Sequence, residues 1–225
     1  MNFSHTEVWG FYHAVRGARN PMNSWDKMDS EFYEDGSTPV LGNNDLKLLQ
    51  RLIKAGPEHR KFMRQIMVSV DITAPLYWWK EFDTYKVGTT ANSTSTMHKI
   101  TSAPITRECF EMDDYEGRLL MYGREPYDLD AFTDDIWDNI INYCETLRRN
   151  YLKTKNTKYW KELIRILPES WLQTRTVTMN YENLLAMCSP GQRRFHKLTE
   201  WSISFISWAR TLPYAKELIF IDEIQ

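Results

Sequence analysis

Long apolar runs are missing from this chain of 225 residues. No stretch approaches the roughly 18 apolar residues that a membrane-crossing helix needs, so no membrane span is expected. The first residues, Met1 to Trp9, show no basic segment followed by an apolar one, so a secretion signal is not expected either. Cysteine is scarce: Cys109, Cys144 and Cys188 are odd in number, far apart and without a Cys-x-x-Cys pair. That pattern argues against a disulfide framework or a structural zinc site, and for a reducing, cytoplasmic setting. An excess of one charge is absent too, with Lys+Arg 28 against Asp+Glu 30 and a formal net charge of -2. No global field therefore draws the chain to DNA, RNA or an acidic membrane. Gly-x-Ser-x-Gly elbows, His-x-x-x-His pairs and glycine-rich phosphate loops are all lacking, which removes the common nucleophilic, metal and P-loop chemistries.

Aromatic residues, by contrast, make up 14% of the chain, with nine Trp. They supply core, or platforms for a planar ligand. Residues 1–43 read as an irregular N-terminal region: Asn2 to Tyr12 are weakly periodic, and Gly17 to Pro39 is rich in loop-forming residues. Asn44 to Gly56 reads as a complete helix, with Asn44 as N-cap, Leu46, Leu49, Leu52 and Ile53 on one face, and Gly56 as the stop. Ile66, Val68, Val70 and Ile72 alternate with Met67, Ser69 and Asp71 as a half-buried strand does, until Ala74-Pro75. A short helix follows from Leu76 to Phe82. Its neighbours Trp78 and Trp79 are not expected to face inward together; one packs in the core and the other on a ring or a second subunit.

Asp128 is placed to cap the longest helix, which turns Leu129, Phe132, Ile136, Ile140, Ile141, Cys144 and Leu147 to one side. A helix over Thr157–Ile166 ends before Pro168. Thr174 to Met179 is strand-like, Asn180 can cap a helix over Tyr181–Met187, and Ser189-Pro190-Gly191 turns the chain. One long helix to Arg210 and a C-terminal helix within residues 211–225 complete a single helix-rich α+β domain without internal repeat or linker, with its core over residues 44–210.

The polar segment Thr84 to Lys99 is unlike a core element. Thr90-Ala91-Asn92-Ser93-Thr94-Ser95 resembles the Ser-x-Asn-x-x-Ser centre of the signature Arg-His-Arg-x-x-Ser-x-Asn-x-x-Ser-x-Arg of the flavin-dependent thymidylate synthases (ThyX). Gly56-Pro57-Glu58-His59, the strand to Ile72, and Ala74-Pro75 resemble that family's upstream Gly-His, strand and turn. Leu167-Pro168, Thr178-x-Asn180, Leu184 and Trp201 resemble its C-terminal half, so the likeness spans about Asn44 to Trp208. The resemblance implies a ThyX-like fold with a central, mostly antiparallel sheet. It also implies FAD and methylenetetrahydrofolate as cofactors, methylation of a uridine nucleotide (dUMP to dTMP), and a homotetramer with sites between subunits.

The candidate residues are His59, Tyr85, Lys86 and Asn92 for the cofactor, and Thr90, Ser95, His98, Lys99, Arg175, Asn180 and Arg194 for the substrate. Of these, Lys86, His98, Lys99 and Arg194 are cations that could stand in for arginines of the family, and Arg175 is singled out as an Arg among apolar neighbours. No catalytic residue is assigned; reduced flavin carries the chemistry in that family. The departures are the arginines. Tyr85-Lys86-Val87 stands where Arg-His-Arg is expected, or Thr84-Tyr85-Lys86 with a one-residue insertion. Met97 replaces the closing Arg, Glu182 stands where an Arg follows the late Asn, and Ser204 follows Trp201 by three. Arginine grips phosphate through paired, charge-assisted bonds, so their loss weakens phosphate binding, and Glu182 is expected to repel it. Bland alternatives stand beside each residue: turn capping for Asn92 and Ser95, an exposed surface residue for His59, a solvated loop end for His98, an ion pair for Arg175, and a solvated face for the basic run Arg193 to Lys197. Three functions follow: a divergent enzyme, a nucleotide-binding protein without catalysis, or an oligomeric scaffold.

Overall fold

The computed structural model describes residues 1–35, 37–112 and 129–224, with side chains of the last segment from residue 136 onward. In chain order the elements are β1 (Asn2–Trp9), α1 (Phe11–Arg19), α2 (Asn43–Ala55), β2 (Met67–Pro75), α3 (Leu76–Phe82), β3 (Thr90–Ser93) and α4 (Thr96–Lys99). Then come α5 (Leu129–Thr154), α6 (Thr157–Ile166), β4 (Leu172–Asn180), α7 (Tyr181–Met187), α8 (Pro190–Phe195), α9 (Ile206–Arg210) and α10 (Ala215–Leu218). The strands form one sheet in the order β1-β2-β4-β3. Two compact units emerge: residues 1–73, 78–92 and 174–225, and residues 74–77 and 93–173. Every crossing from one to the other falls inside a strand or helix, so no linker separates them.

In the first unit the N-terminal region is not irregular. β1 pairs antiparallel with β2, from Asn2 opposite Thr73 to Trp9 opposite Met67, with a bulge between Ser4 and Glu7. β1 is an edge strand and mostly exposed, so burial imposes no clear period of two on its sequence. α1 buries Phe11, Ala14 and Val15. Between α1 and α2 the chain makes two tight helical turns and a single bridge between Glu31 and Val40.

α2 ends at Gly56 as expected, but Asn44 is not its cap. Gly42 holds that place, and the cap comes from Asp29, whose carboxylate accepts the Asn44 N–H at 2.8 Å and the Asp45 N–H at 3.0 Å. A Cβ on Gly42 would overlap Asp29, so a side chain there and this long-range cap exclude each other. Asp45 is fully buried, and its carboxylate accepts from Arg19 Nε at 2.6 Å, the Ser30 hydroxyl at 2.6 Å, and the Asp29 and Ser30 amides, both at 3.0 Å.

β2 buries Val68, Val70 and Ile72 on one face, as its alternation predicts, and continues through Ala74-Pro75 instead of breaking there. On the sheet's other face its side chains pair with those of the neighbouring strand β4 in a row of polar contacts. The Ser69 and Thr178 hydroxyls lie 2.6 Å apart, Thr176 donates to Asp71 at 2.5 Å, and the Thr73 and Thr174 hydroxyls lie 2.7 Å apart. Partner numbers rise on one strand as they fall on the other, the mark of antiparallel strands. Pro190 begins α8 instead of making a turn, since proline lacks the N–H that a first helical residue leaves free. The expected long C-terminal helix is a π-helical turn over Glu200–Phe205 running into α9.

In the second unit α5 and α6 pack Ile141, Cys144, Leu147 and Leu163 against Ile100, Ile105 and Phe110. Ile136, which the periodicity turns inward, is 42% exposed. The expected cap Asp128, and the side chains of Leu129 and Phe132, lie outside the described residues. Asn156 caps α6 by accepting the Lys158 N–H. The 100–105 segment is tied to α5 by Glu145, which accepts the Ile105 N–H at 2.9 Å and pairs with Arg148 at 2.7 Å. The Arg148 hydrogen bond, with the Ile105 amide and Arg149, outweighs burial and brings the Glu145 carboxyl from 4.5 down to about 2. A depressed carboxyl stabilises the fold fully above its unfolded value and loses that contribution as pH falls through the folded one. Urea midpoints of the wild type should therefore drop between about pH 4.5 and 2 more steeply than those of Glu145→Gln. Equal slopes would remove Glu145 from the account of acid unfolding.

Candidate functional site

The start of the polar segment after α3 is held by α7 and α8 of the first unit, and that unit provides the site. Contrary to the expectation of one inward Trp, both Trp78 and Trp79 are buried, at 0% and 1% exposure. The reason is that α3 is enclosed on more than one side. Trp78 packs on Phe82, Trp201 and Phe205, while the Arg175 guanidinium covers Trp79 at 4.3 Å.

Arg175 projects from β4 and its Nη1 donates to Asp83 Oδ1 at 2.9 Å. The ion-pair alternative describes it, so its charge is balanced within the fold. Tyr85 lies 5.5 Å from the Trp201 ring, and its hydroxyl accepts from Gln192 Nε2 at 2.8 Å. Burial, then the Glu81 charge, raises its pKa. His196 stacks on Trp201, with centroids 5.0 Å apart and planes at 6°. Its Nδ1 accepts the Leu198 N–H at 3.2 Å, which leaves the proton on Nε2, 3.6 Å from Glu81.

Asn180 caps α7: its side chain accepts the Asn183 N–H, and the Asn183 side chain accepts the Asn180 N–H. Asn183 Nδ2 then donates to the Val87 carbonyl at 2.7 Å. Gly88, at φ 81°, brings the backbone so close that a Cβ would sit 3.0 Å from Asn180 Nδ2. The 85–88 turn is thus fastened by Gln192 and Asn183, neither of which was selected from sequence. An Asn three residues after an Asn cap was the readable signal for the second.

The remaining expected residues separate into two groups. Lys86 and Arg194 are exposed and have no carboxylate partner among the described residues; Arg194 lies over the Phe195 ring, at 5.8 Å. Thr90 and Asn92 are exposed on β3. His59 is exposed in the turn after Gly56 and lines a separate cleft of about 390 Å³ with Glu58, Lys61 and Gln65. Ser95, His98 and Lys99 belong to the second unit, where the Ser95 hydroxyl caps α4 by accepting the His98 N–H at 3.1 Å. Capping, the bland reading, is what Ser95 does.

Two charges differ from expectation. Glu182 is clasped by Arg60 at 3.3 Å and by Arg64, so two cations offset one carboxylate and it does not repel an anion. Burial alone would raise its pKa, but the hydrogen bonds from Arg64 and Arg60 hold it below the usual carboxylate range. Arg193 is consumed by Asp222, Glu223 and the Cys188 carbonyl, leaving Arg194 as the available cation of that pair. The diphosphate of FAD needs several converging donors. The 85–87 turn provides one cation, Lys86, while Arg175 and Arg193 are already paired. These residues do not fit an FAD diphosphate held as the Arg-His-Arg element would hold it.

No protein-family model matches the sequence, and no curated protein matches it. Solved structures do. The ThyX of Helicobacter pylori with FAD and dUMP is 14% identical, with 100% of both chains covered and a TM-score of 0.65. A second structure of it, also with FAD and dUMP, gives 14% identity, 99% and 98% coverage and a TM-score of 0.67. The UMP/dUMP methylase PolB of Streptomyces cacaoi with 5-Br dUMP gives 15%, coverage of 98% and 95%, and 0.62. The chain has a ThyX-like fold, a helix-rich α+β architecture with an antiparallel four-stranded sheet. Among the described residues no helix is long and apolar enough to cross a membrane.

Proposed function

We propose that this chain binds a uridine nucleotide, with Arg194 and Lys86 receiving its phosphate. The observation that carries the reading is their availability. Both are exposed cations without a carboxylate partner among the described residues, on two segments joined by the Tyr85–Gln192 bond. The likeness to structures that hold dUMP or 5-Br dUMP supports a uridine base over other ligands. Thr90 and Asn92, exposed on β3 in the same unit, follow the turn by two and four residues. A ligand that binds only the folded state raises the melting temperature with concentration. dUMP and UMP should do so, and adenosine monophosphate should do so less. No shift from any uridine nucleotide would end this reading.

A second reading, flavin-dependent methylation with methylenetetrahydrofolate, is favoured by the FAD and dUMP held in two of the similar structures. The purified protein's visible spectrum separates the two. A colourless protein that added FAD does not stabilise leaves binding without flavin; a yellow one restores the enzyme. Four copies per particle, which the resemblance implies, belong to either reading and are measured by light scattering.

A further inference from the structure

A cleft of about 520 Å³ opens between the end of α1, the two tight turns that follow it, and one side of α2. It shares no residue with the candidate site. Lys47, Leu48 and Arg51 line it from α2 at helical spacing, and Met22, Ser24 and Lys27 line it from the turns. Its charge is one-sided. Lys27, Lys47 and Arg51 are exposed and have no partner among the described residues.

The nearby carboxylates do not offset them. Asp45 is buried and bound to Arg19, and Asp29 is occupied by the α2 backbone amides. Asp26 is exposed beside Lys27 in the chain but does not line the cleft. Three cations thus surround one concavity in a chain whose net charge is -2. Solvent and salt screen their repulsion in part, and an anion entering the cleft would lower it further. The volume lies within the roughly 300–1,000 Å³ of small-molecule sites. Met22, at 82% exposure, and Leu48 add an apolar wall.

We propose that this cleft binds a phosphate ester carrying at least two phosphates, with Lys27, Lys47 and Arg51 on the phosphates and its organic part against Met22 and Leu48. Three cations approaching from two sides suit an extended polyphosphate better than a single phosphate group. The α2 amides, already filled by Asp29, take no part, so the side chains carry the recognition.

The test is calorimetric titration of the full chain with pyrophosphate at low salt, then with ADP. Wild-type protein should bind pyrophosphate, more weakly as salt rises. The variant Lys47→Glu/Arg51→Glu should keep its circular dichroism and melting temperature but bind about tenfold less tightly or worse. Met22→Ser should leave pyrophosphate unchanged and weaken ADP. Wild-type protein that ignores pyrophosphate would overturn the proposal, as would an oligonucleotide that binds where pyrophosphate does not. Pyrophosphate lost on Arg194→Ala yet retained in Lys47→Glu/Arg51→Glu would place the anion at the candidate site instead and overturn it too.

Discussion

Asp45→Ala should destabilise the fold by about 3–5 kcal/mol, the largest loss expected from any single exposed or buried charge in the first unit. The side chain is 0% exposed and Arg19, its partner, 5%. Removing the carboxylate leaves the guanidinium buried with only the Ser24 carbonyl, at 3.3 Å, to accept from it. It also strips the acceptor from the Ser30 hydroxyl and from the Asp29 and Ser30 amides. Those amides position Asp29, and Asp29 caps α2, so the start of the helix loosens with them. For a chain of this size each kcal/mol moves the melting temperature by roughly 2–4 °C, so a fall of about 6–20 °C is expected by calorimetry. Arg19→Met/Asp45→Leu should be less damaging than Asp45→Ala, because no charge is left buried without its partner. If Asp45→Ala melts within a degree or two of wild type, the pair does not hold the N-terminal region.

That network also marks where sequence reading reached its range. α3, α6 and α7 were legible because their signals are local: Pro75 before α3, Pro168 after α6, and Asn180 at the head of α7. The cap of α2 was not, because Asp29 lies 15 residues before Asn44 and Asn44 itself is a credible cap residue. Asp45 lies in a polar stretch, and the donors that make its burial tolerable, Arg19 and the Asp29–Ser30 turn, lie 15 to 26 residues earlier. The two Trp were misplaced for a related reason. Helical periodicity assigns one inward face, whereas α3 is covered by Arg175 on one side and by Trp201 and Phe205 on another.

The site shows the same division. The ThyX-like frame was readable in the order of its motifs, and the missing arginines were readable one by one. Which of the remaining cations is free was not readable, since that depends on partners distant in sequence. Asp83 takes Arg175, Asp222 and Glu223 take Arg193, and Arg60 with Arg64 neutralises Glu182.

That sorting of cations gives the second large effect. Arg194→Ala should weaken dUMP binding by about 10- to 150-fold, the equivalent of one charge-assisted hydrogen bond at roughly 1.5–3 kcal/mol. Its cost to stability should be small, because Arg194 is exposed and has no carboxylate partner among the described residues. Arg194→Lys should recover part of the affinity, a point charge without the guanidinium fork. Arg193→Ala should behave in the opposite way. It breaks the contacts to Asp222 and the Cys188 carbonyl, lowers the melting temperature, and affects dUMP mainly through that loss. Arg175→Ala separates the availability argument from simple proximity: it removes a cation that Asp83 and the Trp79 ring already occupy. Binding should therefore depend on Arg194 far more than on Arg175. A phosphate's second ionisation lies near pH 6, so with arginine charged throughout, dUMP should bind more tightly above about pH 6 than below it. Calorimetry on the three alanine variants, at pH 5 and pH 8, would decide. If Arg175→Ala abolishes dUMP binding while Arg194→Ala spares it, the paired arginine is the one that opens to the ligand, and the free one is only surface.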